Sequence, residues 1–516
     1  MARMAVLGGE RGNRGLFGGS RSRLEWAGIG VFVLAAVLTA AIGRAEWYML
    51  LAGSVLLLTG FAAFTPFARF GERTWAALRL QTWHTRRRQR RGTSSFLNPV
   101  TGDPDWVPGP TLKRMEKEER KAAKKGDAYR PADAPLAVGT MRWFEVPTGP
   151  RSSVVAFKDS TRAQGAYIVI VETTGTGSGI TDEDGYDAPY LAFGALLSFL
   201  AGMTSLITHI QPLTRALPMD ATDHLSWMAG QIGPGVPEVL VESYAELTES
   251  VQAQADQHRS YYALLIPDTP ALERKADRYG PGDEGMGQAV LDELARFAGR
   301  ASSTFGIRGL GAVHAAALFR SLQDPRFDID DLDGADLKTC WQTFDGTESQ
   351  EYLRINAGPV SRFGFIAKED FEATALPVQM FQPLIKDVNP SVIRTVTIID
   401  ELMPAKQARA RARADVTTDT AGADKSAGVV TDGSEEVLLG ASRQRLQDLR
   451  PGTGFHGLGY GMYLSITADS PAELMAASDV VDAACSDSGI EHITWLDGRH
   501  DLAFITCLPL ARGLRR

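Results

Sequence analysis

Tyr460-Gly-Met-Tyr-Leu-Ser-Ile-Thr-Ala468, followed at once by Asp469-Ser470-Pro471-Ala472-Glu473, is the stretch on which the fold turns. Met462, Leu464 and Ile466 alternate with Tyr463, Ser465 and Thr467, the two-residue period of a strand. Ser470 and Glu473 then stand three apart with proline in the first turn, a capping box that opens a helix. That helix runs to about Cys485, and Gly489 interrupts. His492–Leu496 and Leu502–Leu508 read as two further strands around an Asp497-Gly498 turn. The β-α-β-β order, with helices on one face of a mixed sheet, predicts an α+β body with ferredoxin-like subdomains.

Working outward, Met141–Val146, Ser153–Asp159 and Ala166–Thr173 read as antiparallel strands. Ala188–Gln211 carries no charge, but its Gly, Ser and Thr and its acidic flanks predict a core helix (Tyr190–Gly202) running into a strand (Leu206–Leu213). Pro237–Gln254 is a helix with Leu240, Tyr244, Leu247 and Val251 on one face. Helices at Gly287–Ala301, Leu310–Leu322 and Val378–Ile385 and strands at His258–Ile266, Arg362–Lys368 and Val392–Ile399 complete the body. Within Ala405–Leu449, two charged arms (Ala405–Asp415 and Glu435–Leu449) flank Thr417–Asp432. That tip has too few large apolar residues to bury itself and is expected to be flexible. Arg409, Arg411 and Arg413 on one arm and Glu435 and Glu436 on the other predict antiparallel pairing.

The N-terminal end has a different character. Two uncharged apolar stretches, Trp26–Gly43 and Trp47–Phe67, are separated only by Arg44, Ala45 and Glu46. At 1.5 Å per residue they would be about 27 and 31 Å long, close to the ~30 Å of a hydrocarbon core. They predict a transmembrane hairpin. Arginines before the first stretch and after the second place both termini in the cytoplasm of a multi-pass protein of the inner cell membrane. Trp26, Trp47 and Tyr48 fall at segment ends, where amphipathic rings prefer the membrane interface. Arg86, Arg87, Arg88, Arg90 and Arg91 form a basic neck suited to anionic lipid headgroups.

Charge divides with position. The first 130 residues carry 22 Lys and Arg against 10 Asp and Glu, and the remainder 32 against 52. The acidic body argues against nucleic acid as the main partner, because phosphate neutralisation supplies most non-specific affinity. Three cysteines, none in a C-x-x-C pair, give no disulfide framework and no zinc knuckle. The chain is therefore expected to comprise a basic cytoplasmic N-terminus (1–25), a transmembrane hairpin (26–67) and a basic neck and linker (68–136). A cytoplasmic α+β domain (137–403), helical arms with a flexible tip (404–449) and a C-terminal β-α-β-β segment (450–516) follow.

Catalytic patterns fail on inspection. The chain has no Gly-Lys dipeptide, so a Walker A loop cannot be written onto it. Gly452-x-Gly454-x-x-Gly457 matches a dinucleotide fingerprint, but with helix before and strand after, the reverse of what the cofactor needs. Gly175–Gly179 lacks a phosphate-binding lysine and reads as a surface loop. Aligning Gly334 with the turn glycine of a calcium loop puts Ile329 and Cys340 where carboxylates belong. No His pair has zinc spacing, and Thr176 stands where a nucleophile elbow at Ser178 needs glycine. Catalytic, cofactor and metal residues are accordingly expected to be none.

Tyr463–Leu474, the helix after it, and Leu502-Ala-Phe504 through Leu508-Pro509-Leu510 resemble the non-motor N-terminal half of VirB/TraC/CagE-type secretion ATPases. With the apolar hairpin, the whole resembles actinobacterial PrgI-like or EccE-like secretion proteins. Asp324-Pro325 and the Arg394–Ile399 strand fit the same pattern. The resemblance implies a structural inner-membrane component of a type IV-like (conjugation) or type VII-like apparatus. Such a component would sit in a large complex, with a separate secretion ATPase, other membrane subunits and membrane lipids as partners and no catalysis of its own. The alternative is a membrane-tethered enzyme or regulator.

Overall fold

Along Ser152–Asp159, Val154 and Ala156 point to one side and Val155 and Phe157 to the other, and all four are buried. The next strand, Ala166–Thr174, does the same with Tyr167, Val169 and Val171 against Ile168 and Ile170. Strands apolar on both faces must be covered on both faces. The computed structural model describes residues 23–42 and 47–64, short pieces at 4–5, 66–67 and 73–74, and most of the chain from 130 to 513. The stretches 133–137, 160–164, 175–186 and 427–433 and some shorter gaps lie outside the described residues.

Three minor strands come first: β1 (Met4–Ala5), β2 (Pro66–Phe67) and β3 (Arg73–Thr74). The main sheet begins with β4 (Arg130–Ala132), β5 (Met141–Gly149), β6 (Ser152–Asp159), β7 (Ala166–Thr174), β8 (His209–Pro218) and β9 (Asp256–Pro267). It continues with β10 (Gly306–Gly309), β11 (Phe344–Asp345), β12 (Leu353–Ile355) and β13 (Val360–Ile366). After β14 (Leu376–Pro377), which pairs with β1, come β15 (Ile393–Met403), β16 (Gly457–Ala468) and β17 (Thr494–Trp495). The order is β11-β12-β13-β16-β15-β8-β9-β7-β6-β5-β4, with β10 beside β7 and β17 beside β13, thirteen strands in all. Every described pairing is antiparallel. The expected mixed sheet is thus corrected: consecutive neighbours are joined by hairpins or helical insertions, and the non-consecutive ones, such as β15 beside β8 and β9 beside β7, also meet antiparallel.

The helices are α1 (Arg23–Ile42), α2 (Trp47–Phe64), α3 (Asp187–Leu200), α4 (Thr222–Gln231), α5 (Glu238–Gln254), α6 (Pro270–Ala276) and α7 (Gly282–Ala301). They continue with α8 (Ala312–Gln323), α9 (Gln382–Ile385), α10 (Ala405–Ser426), α11 (Ser434–Asp448), α12 (Pro471–Asp487) and α13 (His500–Ala503). One sheet face packs on α8, where Phe319 meets Phe157 edge-on at 5.5 Å and Trp341 at 5.2 Å. The other packs Tyr167 and Val169 against Leu196 of α3 and Val290 and Phe297 of α7. Leu474 and Val481 of α12 cover Leu464 and Ile466 of β16. Helices therefore lie on both faces, not on one, because the central strands have no polar side to give to water.

The helix is capped by the serine half of the expected box: the Ser470 hydroxyl accepts from the Glu473 N–H at 3.3 Å. The expected last strand is absent. Residues 500–503 form α13 and 504–507 a 3₁₀ turn, after which Leu508–Arg512 run as a buried strap. Gln211 of β8 explains it. Its side-chain nitrogen donates to the Thr506 and Leu508 carbonyls, each at 3.0 Å, and its oxygen accepts from the Ala511 N–H. A side chain takes the groups that a ladder would have used, and the β-α-β-β ferredoxin-like order gives way to strand, helix, short strand and strap.

At the N-terminal end α1 and α2 pack against each other, with Gly60 lying against Phe32. α1 starts on Arg23 and Glu25, so its uncharged part is Trp26–Ile42, about 26 Å; α2 stops at Phe64, before Thr65-Pro66, and is about 27 Å long. Among the described residues no helix is long and apolar enough to cross a membrane. That finding overturns the transmembrane hairpin, and with it the multi-pass inner-membrane placement.

Candidate docking surfaces at the two ends of the sheet

Two neighbouring strand pairs of the sheet are interrupted by helical insertions. β8 and β9 pair from His209–Leu265 to Pro218–Asp256, and α4 and α5 lie in the connection between them. β15 and β16 pair from Ile393–Thr467 to Met403–Gly457, and α10 and α11 lie in theirs. β8 and β15 are themselves antiparallel neighbours, with Ala216 opposite Arg394 and His209 opposite Glu401. The two insertions therefore leave from opposite ends of the same four strands.

α10 and α11 are anchored at their base. Met403, Ala408, Ala412 and Leu449 form a small buried cluster with Leu446 beside it. Gly457 allows the close approach: a Cβ there would meet the Ala408 Cβ at 2.5 Å. This is the third glycine of the fingerprint-like motif. Gly452 and Gly454 have φ of +95° and +75° and make the turn into β16. All three glycines serve the arm's attachment. Past Ala412 none of the described residues to Ala421 is buried. Helix α10 continues to Ser426, beyond the predicted end at Asp415, because Val416–Ala421 keep helical character with Thr417, Thr418 and Thr420 hydroxyls bonded back to carbonyls four residues earlier. Residues 427–432 of the expected tip lie outside the described residues, as do the side chains of 422–426. The charge pairing is also different from that expected. Asp415 and Arg445 form an ion pair at 3.4 Å. That register puts Glu435 and Glu436 about 17 Å along the arm from Arg413.

The other insertion is less covered. His224 of α4 bonds the Tyr244 hydroxyl at 2.9 Å, and its ring stacks beside Trp227. Leu240, Tyr244, Leu247 and Val251 are all exposed on α5, the two leucines at 59% each. α7 has the same amphipathic pattern but buries Val290, Leu294 and Phe297 against the sheet. Sequence periodicity is alike in the two helices; among the described residues α7 packs its apolar face on the sheet, whereas that of α5 meets only His224 of α4, at Tyr244.

Interior charge is used for structure. Glu293 accepts from Lys275 at 2.8 Å, Arg296 at 3.1 Å and the Leu206 N–H at 3.1 Å. Arg394 pairs with Asp256 at 2.9 Å and donates to the carbonyls of Leu384, Val392 and Ile385. Arg215, wholly buried, donates to Thr395 Oγ1 at 2.8 Å, and burial lowers its pKa to about 10. Burial pushes the Cys485 and Cys507 thiols up to about 12, the wrong direction for a nucleophile. A cleft of about 150 Å³ beside α3 is lined by Gly194, Leu197, Ser198, Leu402, His456 and Leu458. His456 Nδ1 accepts the Ala405 N–H, and among the described residues no carboxylate lines the cleft. Asp328, Asp331 and Asp336 each accept a backbone N–H two residues on, so the acidic run reads as a series of turns.

Of the residues singled out by sequence, Trp47 and Tyr48 are exposed at the start of α2, their rings edge-on at 6.1 Å. Trp26 lies in α1 with its side chain outside the described residues, as are Arg86, Arg87, Arg88, Arg90 and Arg91 entirely. Gly175–Gly179 also falls outside them. The opposed placement of the two insertions was not readable from the chain, since it depends on β8 and β15 lying side by side. Compared with known proteins, the chain matches no family model and no curated protein.

Proposed function

We propose that this chain is a structural subunit of a type IV-like or type VII-like secretion apparatus and docks a separate ATPase through its helical arm. The observation that carries this reading is α10–α11. A helix of 22 residues extends about 33 Å, and its buried base accounts for roughly the first third. Among the described residues the arm adds nothing to the core beyond its base, and the surface it presents there suits a partner. The resemblance of Tyr463–Leu474 and the Leu-Pro strap to the non-motor half of secretion ATPases supports the same reading.

The test replaces Thr417–Asp432 by a short Gly-Ser linker in the full chain. Folding is expected to persist, since none of the described residues of that segment is in the buried base. Recovery of a co-expressed P-loop ATPase is expected to fall sharply. Undiminished recovery from the variant would remove the arm from docking.

A further inference from the structure

Four of the five exposed large apolar residues of α5 follow a heptad, the fifth, Val239, lying at c. Taking Tyr244 and Val251 as a positions, Leu240 and Leu247 are d positions, and the 4-3-4 spacing is the narrow seam of a coiled coil, not the broad stripe of a helix lying on a core. The flanking e and g positions are Val241, Ser243, Thr248 and Ser250, all uncharged. The charges are elsewhere: Glu238, Glu242, Glu246 and Glu249 fall at b, c and f, on the side away from the seam. A second α5 laid along this seam would meet no like charge, although the helix has four acidic residues and no basic one. An anionic surface would be repelled, and a basic partner would find the glutamates turned away.

We infer that α5 pairs with α5 of a second copy of this chain as a short, parallel, two-stranded coil. Val251 at a with Leu240 and Leu247 at d follows the pattern that favours two parallel strands, and the other a position holds Tyr244. The seam from Leu240 to Val251 is only about 16 Å long, too short to form from free peptides. Here it is held in advance. α5 runs directly into β9, where Asp256 is tied to Arg394, and the Tyr244 ring is tied to His224 on α4. Ordering is thus largely complete before association, which lowers the cost of pairing. The two-fold axis runs along the coil, so identical residues face each other.

The inference goes beyond ATPase docking and uses the opposite end of the sheet. The test is sedimentation of the full chain between about 1 and 100 µM, concentrations set by a modest interface. A reversible dimer is expected. Leu247→Glu, at an exposed position, should raise its dissociation constant at least about 30-fold, the loss of a central anchor. Glu249→Gln, at f, should leave it within about twofold. Val251→Cys should cross-link to itself under mild oxidation, as a–a neighbours do only in a parallel pair; Cys340, Cys485 and Cys507 are buried and do not compete. A monomer at every concentration, or a dimer indifferent to Leu247→Glu, overturns the pairing, and a dimer that Val251→Cys fails to cross-link overturns its parallel sense. Loss of the dimer with ATPase recovery intact would leave the docking reading standing.

Discussion

Arg512 grips Asp159 in two contacts, Nε to Oδ2 at 3.0 Å and Nη2 to Oδ1 at 2.8 Å, with the carboxylate wholly buried. The pair joins the last turn of the strap to the end of β6, and Arg512 also donates to the Val138 carbonyl. Removing one partner of a buried pair strands the other charge. Arg512→Ala is therefore expected to cost about 3–5 kcal/mol, read as a lowered urea midpoint with an unchanged slope. A cost below about 1 kcal/mol would mean the strap is not held by this pair.

Asp400 on β15 is buried, with no cation beside it among the described residues, and burial raises its pKa from 3.8 to about 7. A carboxyl whose folded pKa lies above its unfolded one favours folding in its protonated form. Its cost is absent below about pH 4, grows as the pH rises to about 7, and is complete above that. Asp400→Asn should match the parent at pH 4 and exceed it at pH 8, by no more than about 4 kcal/mol. Stability curves for the two chains that stay parallel from pH 4 to 8 would contradict a buried neutral carboxyl.

Gly457 is the hinge-side contact of the arm. Gly457→Ala places a methyl group 2.5 Å from the Ala408 Cβ and should cost about 1–3 kcal/mol through overpacking. Because the clash falls between α10 and β16, faster amide exchange is expected in residues 405–412 ahead of the rest of the sheet. Uniform exchange would indicate that the arm does not yield separately.

The elements legible in the sequence were those with two independent local signals. β16 and α12 combined strict alternation with a capping box and stand where expected. Leu502–Leu508 had a single signal, a run of apolar residues, and such short runs do not distinguish a strand from a packed turn. The information that decided it was Gln211, almost 300 residues away. The arm's register likewise depended on Asp415 and Arg445 in place of the more conspicuous arginine and glutamate groups. The exposed seam on α5 was visible as periodicity, but whether a periodic face is covered by its own chain is a property of topology.

The opposed insertions have a mechanical meaning. A pull between α4–α5 and α10–α11 would act along the strands, from the Pro218 end of β8 to the Met403 end of β15. The ladder from Ala216–Arg394 to His209–Glu401 would then be loaded in shear, its rungs sharing the tension, instead of peeling open one rung at a time. Tension applied at the two arms is carried through the central ladders of the sheet.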